Sequence, residues 1–348
     1  MHFGIFLEER RTGVSDRGAF QETFELAEAA EAWGLDGVWL GEIHFNPVRS
    51  VSSAPLALAS YIAARTRRVR VGLAVQVLPL AHPLRVAEEA ATVDQISEGR
   101  FDFGIGRSGS PRAYDVLGVP YGESQERFEE CLQIILRAWK GERFSHHGRH
   151  YRFDNVLVGP RPHQQPHPPL RMAANSKETF PVVARLGLPL FAGLRDLDIP
   201  ELRLRIADYR AAWREAGHPG DGDVCLRMPI YAAPSAKEAI EEPRENFTYF
   251  FKRHAELTRS GMGRADTGPA DRRQAKFEQL SQLSYDDILE TRVAVGTASA
   301  LVERLGALRE ELGLSGIVAE LNPGELLPPD RMQRTLRILT HEVIPALR

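Results

Sequence analysis

Three short stretches of the 348-residue chain hold residue types able to do chemistry. The first is GEIHF (41–45), where Glu42 and His44 flank Ile43. Alternate side chains of an extended strand share a face, so Glu42 and His44 point one way and Ile43 the other. A histidine at a strand end can act as a general base or a ligand. The plainer reading is a hydrogen-bonded pair that locks the strand end. The second stretch is FGIGRSGSPR (103–112). Its glycine-bracketed end and Arg107 offer backbone N–H groups and a guanidinium to a phosphate; taken alone, it also fits a flexible turn with a solvated arginine. The third is MAANSKET (172–179), where a strand runs into Asn175 and Ser176 and a helix follows. N-terminal amides with the Ser176 and Thr179 hydroxyls suit an anion, although an ordinary N-cap looks the same. Donors converging from two adjacent strand ends favour a phosphate more than either set does singly.

Strands and helices must bring these stretches together. Short apolar runs at 2–8, 37–44, 69–77, 100–108, 170–174, 188–194, 223–233 and 316–321 read as strands. Helical periodicity follows each one. Pro83 is placed as the first residue of a helix reaching about residue 97, and Gly34 stops the first helix. A helix from Ser176 follows the fifth strand. Eight strand–helix units predict a single-domain (β/α)8 barrel over 1–348. An open doubly wound sheet is the alternative, weakened because no GxGxxG follows the first strand. Two insertions stand out. Residues 143–169 read as a hairpin and an extended arm. The polar stretch 254–290 reads as a mobile lid or disordered insert. Working sites of such barrels lie at the C-terminal ends of the strands, where His44, Gln76, Arg107 and Asn175 fall.

Composition excludes several classes. Hydrophobic residues make up 43% and charged residues 26%, enough for a sizeable core, and the net charge is only −3. Nucleic acid and anionic membranes are therefore not expected partners. No apolar run approaches the roughly 20 residues that span a bilayer, and the start lacks the pattern of a secretion signal. Two cysteines, Cys131 and Cys225, in unlike contexts fit a reducing cytoplasm. The histidines at 146, 147, 150, 163 and 167 lack a completing set of Cys or carboxylate ligands, so no metal is expected. Ser-His-Asp catalysis is not expected either, because no GxSxG follows a strand.

Taken in order, FGIF (3–6), GLDGVWLGEIHF (34–45), VGLAVQVLPLAHPLRVAEEAATVDQISEGRFDFGIGR (71–107), AANSKET (173–179) and VGTASALVERL (295–305) resemble bacterial luciferase and the luciferase-like flavin monooxygenases. The resemblance implies a TIM barrel that binds flavin mononucleotide (FMN) and activates O2 with the reduced flavin. It places the phosphate arginine at Arg107 and further phosphate contacts at Asn175, Ser176 and Thr179. A second phosphate arginine falls on Gln125, for which Arg127 could substitute. A non-proline cis peptide beside the flavin ring falls at Ala74–Val75, and the family's cysteine near the flavin is Gly106. Luciferase has two adjacent histidines after the glutamate, the first implicated in catalysis; here Ile43 takes that place and His44 the second. His44 is then a substitute base or a residue paired with Glu42. Two aromatic pocket positions fall on Leu194 and Phe251. The resulting expectation is a cytoplasmic homodimer, the oxygenase of a two-component system, fed by a separate flavin reductase and acting on a small organic substrate. The alternatives are a non-catalytic flavin-binding protein and a deazaflavin-dependent oxidoreductase on the same barrel.

Overall fold

The computed structural model describes residues 1–7, 11–108, 111–260 and 270–348. Its strands are β1 (His2–Leu7), β2 (Gly37–Leu40), β3 (Arg70–Leu73), β4 (Gln76–Val77), β5 (Phe101–Gly106), β6 (Phe144–His147), β7 (Arg152–Val156), β8 (Leu170–Ala173), β9 (Leu190–Gly193), β10 (Val224–Ala232), β11 (Ala294–Gly296) and β12 (Gly316–Glu320). Parallel pairing runs β1–β2–β3–β5–β8–β9–β10–β12 and returns to β1, closing an eight-stranded barrel. Short β4 continues β3 along β5, and β11 lies against the end of β10. All eight expected barrel strands are present. The expected third strand is interrupted where the Ala74–Val75 peptide is cis, and the second leaves its ladder at Leu40, before Glu42.

Alternation along the strands sorts side chains into two layers. Val38, Leu40, Val71, Leu73, Phe103 and Ile105 join the main core under the helices. Phe6, Trp39, Ala74, Phe191, Cys225 and Val318 form a separate cluster inside the barrel. Trp39 is the large member, and its neighbours are cut down to admit it. A Cβ on Gly72 would lie 2.4 Å from the indole, and one on Gly4 2.9 Å from it. Gly104 answers a different need, since its Cβ would sit 1.8 Å from the Leu73 carbonyl oxygen.

The helices start and stop where the side chains dictate. Ser15 and Asp198 cap their helices by accepting from the N–H of Gly18 and Glu201. Pro55 and Pro83 open theirs at positions that need no donor. The expected hairpin is β6–β7, antiparallel, and its histidines are taken up by carboxylates: His146 faces Glu130 at 2.8 Å and His147 faces Asp154 at 2.6 Å. The polar stretch 254–290 is largely helical: it spans the end of helix Arg244–Ser260, helix Ala270–Ser281 and most of helix Tyr285–Thr291. The centre of the expected lid, 261–269, lies outside the described residues. Among the described residues, no helix is long and apolar enough to cross a membrane.

Candidate active site at the mouth of the barrel

Glu42 organises the loop after β2. Its Oε1 meets His44 Nε2 at 2.6 Å, and its Oε2 accepts from Gln76 Nε2 at 2.6 Å and from the Val77 N–H at 2.7 Å. One carboxylate thus joins the β2 loop to β4, just past the cis peptide. The hydrogen bond to Glu42 raises the His44 pKa above the ordinary 6.5, against the opposing effect of burial. The shift favours the protonated ring, the form that pairs with the Glu42 carboxylate. Ile43 donates its N–H to the Ser52 carbonyl at 2.9 Å, and Ser52 Oγ donates to the Gly41 carbonyl at 2.6 Å. The loop is therefore pinned on both sides of Glu42.

The expected phosphate donors occupy neighbouring strand ends. Ile105 of β5 pairs with Met172 of β8, so the chain just beyond brings Arg107 alongside 174–176. Arg107 donates to the buried Ser124 Oγ at 3.2 Å, and the Tyr114 hydroxyl donates to the Arg107 carbonyl. Ser176 Oγ and Thr179 Oγ1 lie 2.8 Å apart. One hydroxyl proton is spent between them and the other remains for a ligand. Asn175 and Ser176 are exposed. The helix here begins at Thr179, not at Ser176 as periodicity suggested; a turn in which the Thr179 N–H donates to the Ser176 carbonyl at 2.9 Å precedes it. Arg127 is held by Glu123 at 2.8 Å, an i,i+4 pair that occupies the suggested substitute for the missing second arginine.

Gly106 closes the wall between these donors and the 74–75 peptide. A Cβ there would come within 2.6 Å of Val75 Cγ2, so the residue must stay bare for Val75 to keep its place. Below, at the floor of the mouth, the Arg227 guanidinium lies 3.5 Å over the Phe6 ring and is hydrogen-bonded to buried Glu320. A guanidinium and hydroxyls on neighbouring strand ends, with a bare glycine and apolar residues beside them, suit a phosphate-bearing planar cofactor.

Sequence reading missed the rim beyond β9. Asp196 Oδ1 meets His254 Nε2 at 2.7 Å, and Arg195 Nε lies 3.6 Å from Asp196 Oδ2. Fully buried Arg292 donates to the carbonyls of Leu194, Arg195 and Leu197 at 3.4, 3.4 and 3.1 Å, and its guanidinium lies 5.7 Å from the Phe251 ring. The two expected pocket positions, Leu194 and Phe251, are thus joined through one arginine. The available signal was charge: Arg195, Asp196 and Asp198 directly follow an apolar strand.

A closed parallel barrel with polar donors on neighbouring strand ends has the architecture of the barrel enzymes. The family model for luciferase-like monooxygenases matches residues 1–316, and the chain belongs to that family. It is 25% identical to the oxygenase component of the flavin-dependent trigonelline monooxygenase of Acinetobacter baylyi, over 99% of this chain and 95% of that one. It superposes on monooxygenase RslO1 of Streptomyces bottropensis with a TM-score of 0.81 and 26% identity, covering 100% of both chains. A coenzyme F420-dependent secondary alcohol dehydrogenase shares the fold, with a TM-score of 0.75 and 18% identity over 100% of this chain and 99% of that one.

Proposed function

We propose that the protein is the FMN-dependent oxygenase of a two-component monooxygenase, working in the cytoplasm on a small organic substrate. The observation that carries this reading is the convergence of Arg107 with Ser176 and Thr179 on neighbouring strand ends of a luciferase-like barrel. In it, Arg107, Asn175, Ser176 and Thr179 hold the phosphate, while Ala74, Val75 and Gly106 border the ring. Reduced FMN, when bound, supplies the electrons that activate O2 for transfer of one oxygen atom to the substrate. The chain's own part is to bind, orient and exclude water. His44 serves here as a positioning residue: it pairs with Glu42, and Glu42 fixes β4 at the edge of the ring site. The similarity to a named oxygenase component supports a separate reductase as the supplier of reduced FMN.

The test has two arms. Equilibrium titration compares FMN, reduced FMN without oxygen, and a deazaflavin; preference for FMN is expected, and preference for deazaflavin would replace the oxygenase with a hydride-transferring oxidoreductase. Arg107→Gln should weaken FMN binding about tenfold or more. In the second arm, the protein loaded with reduced FMN is mixed with oxygenated buffer and candidate substrates. Substrate-dependent uptake of 18O from O2 into product is expected. Binding of FMN with no oxygen transfer to any substrate would leave a flavin carrier.

A further inference from the structure

The expected phosphate site relies on one arginine. Gln125 stands where the second is expected, and its side-chain amide donates to Glu129; Arg127 is paired with Glu123. An arginine is long and flexible, and holding it still for a ligand costs affinity. Here two buried side chains, both after β5, hold Arg107 beforehand. Ser124 is the first residue of helix Ser124–Ala138, and Tyr114 lies on helix Pro111–Val116. Ser124 Oγ accepts from Arg107 Nη1 at 3.2 Å, and the Tyr114 hydroxyl donates to the Arg107 carbonyl. Ser124 is 3% exposed and Tyr114 is fully buried. The two also meet: burial is the largest cause raising the Tyr114 pKa, and a hydrogen bond with Ser124 opposes it. The three residues thus form a closed circuit that grips Arg107 at its guanidinium and at its backbone.

Resting on the FMN reading of this site, we propose that Ser124 and Tyr114 are positioning residues that fix Arg107 at both ends, so that a single arginine selects a flavin phosphate over a flavin without one. Neither side chain is spent elsewhere. Helix Ser124–Ala138 carries no side-chain cap, so the Ser124 hydroxyl is not used at the helix end. Tyr114 packs edge-on against Tyr121 at 5.0 Å, which limits its ring. The chemistry of the grip matters as much as its place. Among the described residues, no carboxylate pairs with Arg107, and a neutral hydroxyl holds its guanidinium. A carboxylate there would cancel the charge that a phosphate needs. A serine fixes the direction, takes one N–H donor and leaves the charge and the other donors for the ligand. Of the residues expected to hold the cofactor, Ser124 and Tyr114 hydrogen-bond Arg107 alone, so their effect on a ligand runs through it.

The test titrates the full-length protein with FMN and with riboflavin, which lacks the phosphate. The ratio of the two affinities reads the phosphate contact, whereas a loosened fold lowers both affinities together. Wild type should favour FMN. Ser124→Ala should reduce that preference about fivefold, and Tyr114→Phe by a smaller factor, with riboflavin affinity held in both. In an Arg107→Ala background, Ser124→Ala should cost FMN nothing further, because its effect runs through that arginine. Wild type binding riboflavin as tightly as FMN would remove the phosphate reading and this proposal together. Three results would overturn the proposal alone: a full FMN preference kept in Ser124→Ala, both affinities lowered there at an unchanged ratio, or an undiminished further loss in the Arg107→Ala background.

Discussion

Two histidines at the mouth are tuned in opposite directions, and pH separates them. The hydrogen bond to Glu42 raises the His44 pKa above 6.5. The folded state therefore binds that proton more tightly than the unfolded chain. Its stabilisation is complete below about 6.5 and is lost as pH rises through the folded value. His254 is depressed by burial, so its neutral form stabilises the fold above about 6.5, and that contribution is lost as pH falls through the folded value. Ring-proton NMR titration should show the two midpoints on opposite sides of 6.5. Glu42→Gln should bring His44 down while leaving His254 in place; an unmoved His44 would mean that Glu42 does not set its charge. The bare positions offer a second residue-scale prediction. Gly104→Ala drives a Cβ into the Leu73 carbonyl, which is backbone, whereas Gly106→Ala meets the Val75 side chain. Overpacking costs roughly 1–3 kcal/mol, with Gly104→Ala at the upper end and Gly106→Ala losing FMN affinity as well. Urea unfolding and FMN titration rank the two. The placement of Arg107, Ser176 and Thr179 at neighbouring strand ends was legible because each motif follows an apolar run. His254 was not: it lies mid-helix, and its partner Asp196 is 58 residues away.

At the scale of elements, apolar runs gave away every barrel strand because parallel strands are buried on both faces. What periodicity could not show was where a strand leaves its ladder. β2 ends at Leu40, and the third strand breaks at 74–75, since Glu42 draws Val77 toward the β2 loop. The polar insert misled for a related reason. Helix Ala270–Ser281 is mostly polar, and its pattern lacks a wide apolar stripe, so only packing against helix Arg244–Ser260 reveals it. Arg292 shows how such elements are held. Its guanidinium bridges the carbonyls after β9 and lies over Phe251 of helix Arg244–Ser260. Arg292→Met removes a costly buried charge but strands those carbonyls, and an unsatisfied buried group costs about 1–3 kcal/mol. Two of the three bonds are long, so the net expectation is a loss of about 2 kcal/mol in urea unfolding. Amide exchange at 195–198 should quicken with it. Exchange unchanged at those residues would show the loop held by other contacts.

Across the whole molecule, closure leaves no free edge in the barrel's own ladder, so helix faces are the broad surfaces open to assembly. Helix Asp16–Ala32 and helix Pro55–Arg65 present one such face. Phe20 stacks on Phe24 at 6.3 Å, Phe24 tilts against Tyr61 at 4.1 Å, and Tyr61 is 45% exposed. Arg17, Glu25, Glu28 and Arg65 rim the groove that these rings line. An aromatic strip with a charged border is the make-up of a protein–protein interface. A second copy of the chain is the expected occupant, as the luciferase resemblance also implies for helices near the start. Light scattering at micromolar concentration should return about twice the 38.9 kDa of the chain. Phe24→Glu with Tyr61→Glu should give the single-chain mass. Because both side chains are at least partly exposed, far-UV circular dichroism should stay as in wild type. A wild-type monomer at that concentration would remove the dimer. A variant that stays dimeric would move the interface to another face. The groove lies on the outer helices after β1 and β2, whereas the expected phosphate donors follow β5 and β8, so the monomeric variant should still titrate with FMN. Loss of flavin binding together with the dimer would show that the partner helps to build the mouth.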